Sequence, residues 1–514
     1  MSLAEAVEPL RDAVVWLFEV SAVPVLGYFV LINTSYLVLI GLAALDFRSY
    51  LRGRKTVVDT LGGELTPGVS VIVPAHNEEA GIVTSVKALL SLRYPGHEVV
   101  VVDDGSTDAT FERLRDAFDL VELPREVPQE VPVRARVLGL HVPRDGRTRL
   151  IVVQKENSGR SEASNVGVNA ATEPLVAMID ADSILEPDAL LRVAKPFADD
   201  PTRVVATGGA IRPVNGCRVV AGRIVSVGLP QRWMPRIQVV EYLRAFLLGR
   251  TGWSRFKGLI LISGAFGLYR RDTYVEAGGL DPDSIGEDFE LVLRMHRILR
   301  DADVDYRVEF VPEPVSWTEV PSTFRVLRNQ RRRWHRGLWE TLWQYRGMLF
   351  RPRYGRVGMV VLPYYWAFEL MAPLLELYGI VIVPVALLLD VINIPFALQF
   401  LAFAYGYALL VTLAAMALEE WAFHRHERWR DLGIALVAAV LENVGYRQLT
   451  VWWRLEGWWA SLRGKKQVWG VMTRTGFNEG GSEQGAPPGH PRVSGRGASA
   501  GDVTVPERAK GGAA

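Results

Sequence analysis

Apolar residues are arranged in two ways along this chain. Towards both ends they form long runs without charge, and in the middle they form short runs separated by polar, helix-forming stretches. Ser21 to Leu45 holds 25 residues with no charged side chain, enough at roughly 1.5 Å per residue to cross a hydrocarbon layer of about 30 Å. Val357 to Leu389 is broken only by Glu369 and Glu376, Val391 to Leu418 has no charge in 28 residues, and a shorter run, Leu432 to Val444, contains Glu442. The pattern predicts an N-terminal transmembrane helix within 1–46 and transmembrane or interfacial helices within 357–479. The residues ahead of the first run are acidic (Glu5, Glu8, Asp12, Glu19) and no small-residue cleavage site closes it, which argues against a secretory leader. Arg48, Arg52, Arg54 and Lys55 follow it, so the excess of positive charge places the large middle region on the cytoplasmic face of a multi-pass protein of the cell membrane. Two later spans return the chain to the cytoplasm at Arg425 to Arg430, and a third would put Lys465 and Lys466 outside, against the charge rule. Either Leu432 to Val444 is re-entrant or interfacial, or Val357 to Leu389 breaks at Pro373 into two pieces; the sequence leaves both open.

The middle region, 66–320, alternates short β-rich runs with helical stretches. Val69 to Val73, Val99 to Val102, Leu150 to Val153, Leu175 to Ile179 and Val204 to Thr207 are mostly unbroken apolar runs, as expected of parallel strands buried on both faces. The alternation predicts an α/β, doubly wound sheet. Ligands of such sheets bind beyond the carboxyl ends of the strands, where Pro74 to Glu79, Asp103 to Asp108 and Asp180 to Asp182 all fall. Leu123 to Arg147, rich in proline and arginine, reads as a surface insertion with no assigned role. Over 321–356 arginine and tryptophan dominate, and Leu327, Trp334, Leu338 and Leu342 recur at helical spacing beside a basic face. That predicts amphipathic helices lying in a membrane interface. The Gly-, Ser- and Pro-rich segment 480–514 is expected to be disordered.

Composition adds two exclusions. A formal net charge of +1 gives no global attraction for nucleic acid. The single cysteine, Cys217, rules out an internal disulfide framework and has no His or Asp signature of a nucleophile, so it reads as structural.

Three carboxylate groups carry the candidate chemistry: Asp103 and Asp104 in VVDDGSTD, Asp180 and Asp182 in MIDADS, and Glu287 and Asp288 in GEDFEL. Alone, each is an ordinary turn sequence. Together they suit a hard cation, Mg²⁺ or Mn²⁺, held by one or two carboxylates and the phosphates of a nucleotide diphosphate. Inverting glycosyl transfer needs a carboxylate to take the proton of the attacking hydroxyl, and a metal and cationic side chains to stabilise the departing diphosphate.

VPAHNEE, VVDDGSTD, KENSGRSEASN, DAD, ISGAFG, GEDFEL, TEVPSTF and QRRRW occur in this order over Val69 to Gly337, about half of the chain. In this the sequence resembles the membrane family 2 glycosyltransferases, among them the poly-N-acetylglucosamine, hyaluronan, chitin and cellulose synthases. The resemblance implies a GT-A type domain set between N-terminal and C-terminal transmembrane helices. It implies Ala75, Glu78 and Asp104 around the uridine, Arg160 at a phosphate, Asp180 near the nucleotide, Asp182 on the metal and Asp288 as general base. Gln330, Arg331 and Arg333 would meet the nucleotide-sugar, and Trp334, Ser263 and Gly264 the acceptor. Two positions depart from the pattern: His76 stands where many relatives have an aromatic residue, and Arg160 where many have lysine.

The implied activity is transfer from a UDP-sugar to a growing β-linked polysaccharide, with secretion through the chain's own helices; the alternative is transfer of one sugar to a membrane lipid. A non-catalytic sensor would have lost a key carboxylate, yet Asp104, Asp182 and Asp288 are all present. The implied partners are the UDP-sugar, a glycan or lipid acceptor, membrane lipids and a separate secretion or regulatory subunit, with no nucleic acid. No motif reports which sugar is used.

Overall fold

The computed structural model describes residues 3–53, 66–423 and 429–463. The expected disordered segment 480–514, together with Arg54, Lys55, Lys465 and Lys466, lies outside the described residues, as does most of the loop at Arg425 to Arg430.

The strands, in chain order, are β1 (Val69–Ala75), β2 (His97–Asp104), β3 (Leu120–Glu122), β4 (Val137–Pro143), β5 (Leu150–Lys155), β6 (Leu175–Ile179), β7 (Ile184–Leu185), β8 (Val204–Pro213), β9 (Arg218–Val220), β10 (Arg223–Ser226), β11 (Phe266–Arg270) and β12 (Arg307–Thr318). All five runs expected as strands form strands. Val71, Ile72 and Val73 of β1 and Val99 to Val102 of β2 are fully buried, because helices cover both faces. Ten strands form one sheet in the order β3-β4-β5-β2-β1-β6-β11-β8-β12-β7, and β9 pairs with β10 as a separate hairpin.

The block β5-β2-β1-β6 is the parallel array expected of a doubly wound sheet, and β8 and β12 also pair in parallel. The full sheet is mixed, which corrects that expectation. β11 lies between β6 and β8 and is antiparallel to both. The chain leaves β8 at its carboxyl end, makes the hairpin and two helices, Trp233–Tyr242 and Thr251–Arg255, and re-enters the sheet in the opposite direction. The stretch 123–147 is likewise more than a surface insertion. β4, within it, pairs antiparallel with β5 and carries β3 on its outer edge. Glu162, 2% exposed, accepts the backbone N–H groups of Arg134 and Ala135 at 3.2 Å each, and Asn169 bonds both backbone groups of Val131 at 2.8 Å. The segment is thereby fastened to the helix Arg160–Ala170.

Among the described residues three helices are long and apolar enough to cross a membrane: Glu8–Phe47, Val357–Leu388 and Ala397–Leu418. The first belongs to one helix, Leu3–Gly53, longer than expected. The second bends at Met371, and the helix Ala372–Leu388 starts there with Pro373 in its first turn, where proline needs no hydrogen-bond partner. The helix Trp429–Leu441 ends in a kink, with Val444 and Gly445 outside helical backbone geometry, before the helix Arg447–Leu462.

That last helix packs on Phe324–Gln344, and the contact revises the expected amphipathic pattern. A Cβ at Gly457 would lie 2.4 Å from the Arg332 carbonyl, so the two backbones touch. Leu327 and Leu342 are buried, but so are Gln330, Arg331 and His335, whereas Trp334 is 44% exposed. The helix therefore buries a polar face against protein, and Trp334 lies outside its buried stripe.

One buried histidine gives the α/β domain a pH dependence. His296 Nε2 donates to the Leu259 carbonyl at 2.9 Å and Nδ1 meets the Tyr306 hydroxyl at 2.6 Å, a neutral ring in a dry site. Burial pushes its pKa down from 6.5 to about 4. The unfolded chain takes up this proton near pH 6.5 and the folded chain near 4, so the contribution is full above 6.5 and lost as pH falls through that window. A shift of this size corresponds to roughly 3 kcal/mol. Unfolding midpoints measured between pH 7 and 4 should fall less steeply for His296→Gln than for the wild type; parallel curves would contradict this.

Candidate active site

The site is assembled at the carboxyl ends of β1, β2, β5 and β6. β1 ends at buried Ala75, and the chain turns through Asn77, whose φ of +56° lies in the left-handed region that asparagine tolerates. The Asn77 N–H donates to Ser106 Oγ at 3.0 Å, and the Glu78 N–H donates to Thr110 Oγ1 at 2.8 Å. The loop after β1 is thus bound to the loop after β2. His76 Nδ1 is 3.0 Å from the Asp104 carbonyl, to which Asn157 Nδ2 also donates at 2.8 Å.

The Asp104 carboxylate is buried, and it faces the protein. One oxygen takes a contact from the Lys155 ammonium and the Ser158 N–H at 3.0 Å, and the other takes the Gly159 N–H at 2.9 Å. Lys155 is fully buried and also donates to Ser158 Oγ at 2.6 Å. In this arrangement Asp104 shapes the loop that begins the Arg160 helix.

Arg160 joins the remaining motifs. Its Nε donates to Asp180 Oδ1 at 2.8 Å, one terminal nitrogen donates to Glu287, and the other donates to the Gly264 carbonyl at 2.6 Å. Ser161 donates to the second oxygen of Glu287. Burial opposes the charge on Arg160, but Asp180, Glu287 and Asp288 outweigh it and hold the guanidinium proton more tightly than usual. A lysine has a single nitrogen and cannot reproduce this three-way fork. Asp182 lies in the turn after β6, which is closed by the Ser183 N–H donating to the Asp180 carbonyl at 3.0 Å.

Asp288 occupies the first turn of the helix Glu287–Asp301. Its Oδ2 accepts the Gly264 N–H at 2.8 Å, and its Oδ1 accepts the Phe289 N–H at 2.8 Å. A Cβ at Gly264 would come within 3.2–3.4 Å of Arg160 and Asp288, so the Ser263–Gly264 turn runs close against both.

The QRRRW helix reaches this cluster through a glycine contact. A Cβ at Gly337 would lie 3.0 Å from the Gly286 backbone, leaving no room for a side chain between the two helices. One turn before Gly337, Arg333 is held below the usual arginine range by burial; Glu287, Asp288 and Asp180 act to support its charge, while Arg160 opposes it. The other members point elsewhere. Arg331 donates to Glu241 at 2.7 Å and to the Tyr446 hydroxyl at 3.3 Å, and its guanidinium lies 4.6 Å from the centre of the Trp334 ring. Among the described residues, buried Gln330 has no hydrogen-bond partner for Oε1. Gly337→Ala should therefore force the QRRRW helix away from Asp288 and lower kcat by about 10- to 100-fold, since about 1 Å of misplacement can cost on the order of 100-fold. Steady-state kinetics check this, and an unchanged kcat would show that the close approach is dispensable.

The structure thus gathers Arg160, Asp180, Gly264, Asp288 and Arg333 in one cluster, with Asp104 supporting its floor and Arg331 tied to a neighbouring network. Sequence reading gave no role to Lys155, Ser161, Glu241 or Arg250, and took Glu287 only as a candidate carboxylate beside Asp288. The available signal was charge isolated in apolar surroundings: Lys155 ends an apolar strand, and Glu241, Arg244 and Arg250 interrupt IQVVEYLRAFLLGR. Cys217 is free and packs beside Ile184, Val214 and Trp317; burial pushes its thiol pKa up, as for a structural residue. Among the described residues no cluster of three or more His, Cys, Asp and Glu could hold a metal ion.

Comparison with known proteins agrees with this architecture. The model of Glycosyl transferase family 2 matches residues 70–272, and that of Glycosyl transferase family group 2 matches residues 175–418. "Probable glycosyltransferase YdaM" of Bacillus subtilis (strain 168) is 26% identical over 57% of this chain and 60% of its own length. The poly-beta-1,6-N-acetyl-D-glucosamine synthase of Staphylococcus aureus (strain COL) is 27% identical over 54% of this chain and 55% of its own length. That of Staphylococcus epidermidis is 25% identical over the same shares. The chain thus spans little more than half the length of these relatives. A mannosyltransferase from Pyrobaculum calidifontis, solved with GDP-Man and Mn²⁺, is 21% identical, with a TM-score of 0.45 over 80% of this chain and 99% of that one; likeness at that level transfers nothing about donor or metal. The sheet is that of the GT-A glycosyltransferase fold in its mixed form, and residues 70–272 carry a Glycosyl transferase family 2 domain.

Proposed function

We propose that the enzyme transfers sugar, with inversion, from a UDP-sugar to a growing β-linked polysaccharide at the cytoplasmic face of the cell membrane. The observation that supports this most is the placing of Asp288, fixed by two backbone N–H groups at the Ser263–Gly264 turn and approached by Arg333. On this reading Asp288 takes the proton of the attacking hydroxyl and the acceptor sits along the Ser263–Gly264 backbone. Arg333, largely desolvated, meets the diphosphate, where a guanidinium fork suits phosphate oxygens. Arg160 aligns the parts, and Ala75, Glu78 and His76 line the nucleotide end. Trp334, partly exposed beside Arg331, offers a ring face to a sugar.

Asp180 and Asp182 offer hard carboxylate oxygens, too few to hold an ion alone, which fits Mg²⁺ or Mn²⁺ completed by substrate phosphates and water. Such an ion neutralises the charge that develops on the departing diphosphate. The long apolar helices fit residence in the membrane, and the relatives named as polymer synthases favour a polysaccharide product.

Calorimetric titration with UDP and GDP, each with and without Mn²⁺, tests the donor and metal assignments. UDP should bind more tightly than GDP, and Asp182→Ala should abolish the gain from Mn²⁺. A metal effect undiminished in that variant would remove Asp182 from the assignment.

A further inference from the structure

Arg250 is a largely buried guanidinium with an unmatched charge. It lies at the end of the helical segment Leu243–Arg250, and its Cζ lies 3.7 Å from the centre of the Phe246 ring. Among the described residues it makes no hydrogen bond or ion pair, and one terminal nitrogen is shut off from solvent without an acceptor. Other buried arginines here behave differently: Arg160 pairs with Asp180 and Glu287, Arg244 with Glu442, and Arg331 with Glu241. A buried cation without a counter-ion is unfavourable, and such groups are ordinarily paired.

The surroundings of Arg250 lead to Asp288: Trp253, three residues on, packs on Tyr365 at 6.2 Å. Phe246 packs on Tyr242 at 5.4 Å, and Tyr365 stacks on Phe289, the residue after Asp288, at 6.1 Å. Burial pulls the Arg250 pKa down to about 10, while Tyr365, Asp288, Tyr242 and Tyr269 act to support its charge. Arg333, by contrast, responds to Glu287, Asp288 and Asp180. Asp288 thus acts on the charge of both guanidinium groups. Arg333 answers to the DAD and GED carboxylates, and Arg250 to tyrosines that include Tyr365 of the long apolar helix.

We propose that Arg250, with Phe246, Tyr242 and Tyr365, forms an acceptor subsite for an anionic oxygen, either the carboxylate of a uronic acid residue or a phosphate. The guanidinium donates N–H bonds to that oxygen, and the aromatic rings flank the group that carries it. Asp288 supports the charge of Arg250, but among the described residues the two form no ion pair. The subsite rests on the assignment of Asp288 to the transfer centre.

The test is equilibrium binding by the full-length protein in detergent or nanodiscs, so it does not require turnover. The probes are a glucuronate-containing oligosaccharide and its carboxyl-reduced counterpart, and a polyprenyl phosphate and the matching polyprenol. At least one anionic probe should bind about tenfold or more tightly than its neutral partner, and which one identifies the source of the anion. Arg250→Gln should abolish that preference, and Arg250→Lys, which keeps the charge and controls for folding, should retain part of it. Equal binding of anionic and neutral probes by the wild type would overturn the subsite even if sugar transfer to a neutral acceptor is observed. A fall in UDP affinity on Arg250→Gln as large as the fall for the anionic probe would place Arg250 on the donor side and overturn it equally.

Discussion

Asp288→Asn is expected to lower sugar transfer by about 10²- to 10⁴-fold, the usual contribution of a general base, with little change in UDP affinity. The amide keeps the shape of the carboxylate, and its oxygen can still accept the Gly264 or the Phe289 N–H. What it cannot do is take a proton from a hydroxyl. Turnover and UDP binding must be measured together. A drop in both would mean that the substitution has disturbed the cluster, and wild-type turnover would remove Asp288 from the role of base.

Arg160→Lys is expected to have the second largest effect, although the two residues share a charge. The guanidinium holds Asp180, Glu287 and the Gly264 carbonyl at once, and Gly264 in turn holds Asp288 Oδ2. An ammonium group reaches one or two of these partners. Losing one charge-assisted bond to a buried carboxylate costs about 1.5–3 kcal/mol, and releasing Gly264 changes the aim of Asp288. Expected are a lower unfolding midpoint and a kcat reduced by about 10- to 100-fold, with a smaller change in donor KM. Arg160→Ala, which leaves Glu287 and Asp180 without their cation, should be worse in both respects, by about 3–5 kcal/mol in stability. If instead Arg160→Lys raises donor KM and leaves stability intact, Arg160 is a phosphate ligand and its bridging contacts are incidental.

Where the sequence was legible, the reason was local. Val71 to Val73, Val99 to Val102 and Leu175 to Ile179, within β1, β2 and β6, are unbroken apolar runs because both faces of the sheet are covered, and that composition survives as pattern. β12 was not legible, because Pro312, Glu313 and Pro314 interrupt it and its pairing with β8 shifts register around them. β11 is five residues long and ends in arginine, too little to separate from a loop. The helix Phe324–Gln344 has leucines at helical spacing, but spacing does not say what covers a face; here protein covers it, and Gln330, Arg331 and His335 are inside while Trp334 is partly outside.

The site divides in the same way. Ordered motifs bring Asp180, Gly264, Asp288 and Arg333 to attention, since each sits in a short signature. The contacts that organise them join residues far apart: Arg160 and Glu287 are 127 positions apart, and Arg331 and Glu241 are 90 apart. No local pattern encodes such pairs. Arg250 is the extreme case, a charge at the end of an apolar segment whose setting depends on the tertiary neighbours of Phe246 and Tyr365.

The most direct test of the central claim is incubation of purified, membrane-reconstituted protein with a panel of radiolabelled UDP-sugars and Mn²⁺ or Mg²⁺, followed by size separation of the products. High-molecular-weight label from one UDP-sugar is the predicted result, and it would also name the donor. Label confined to a lipid-extractable, single-sugar product would contradict polymer synthesis and make the enzyme a lipid glycosyltransferase.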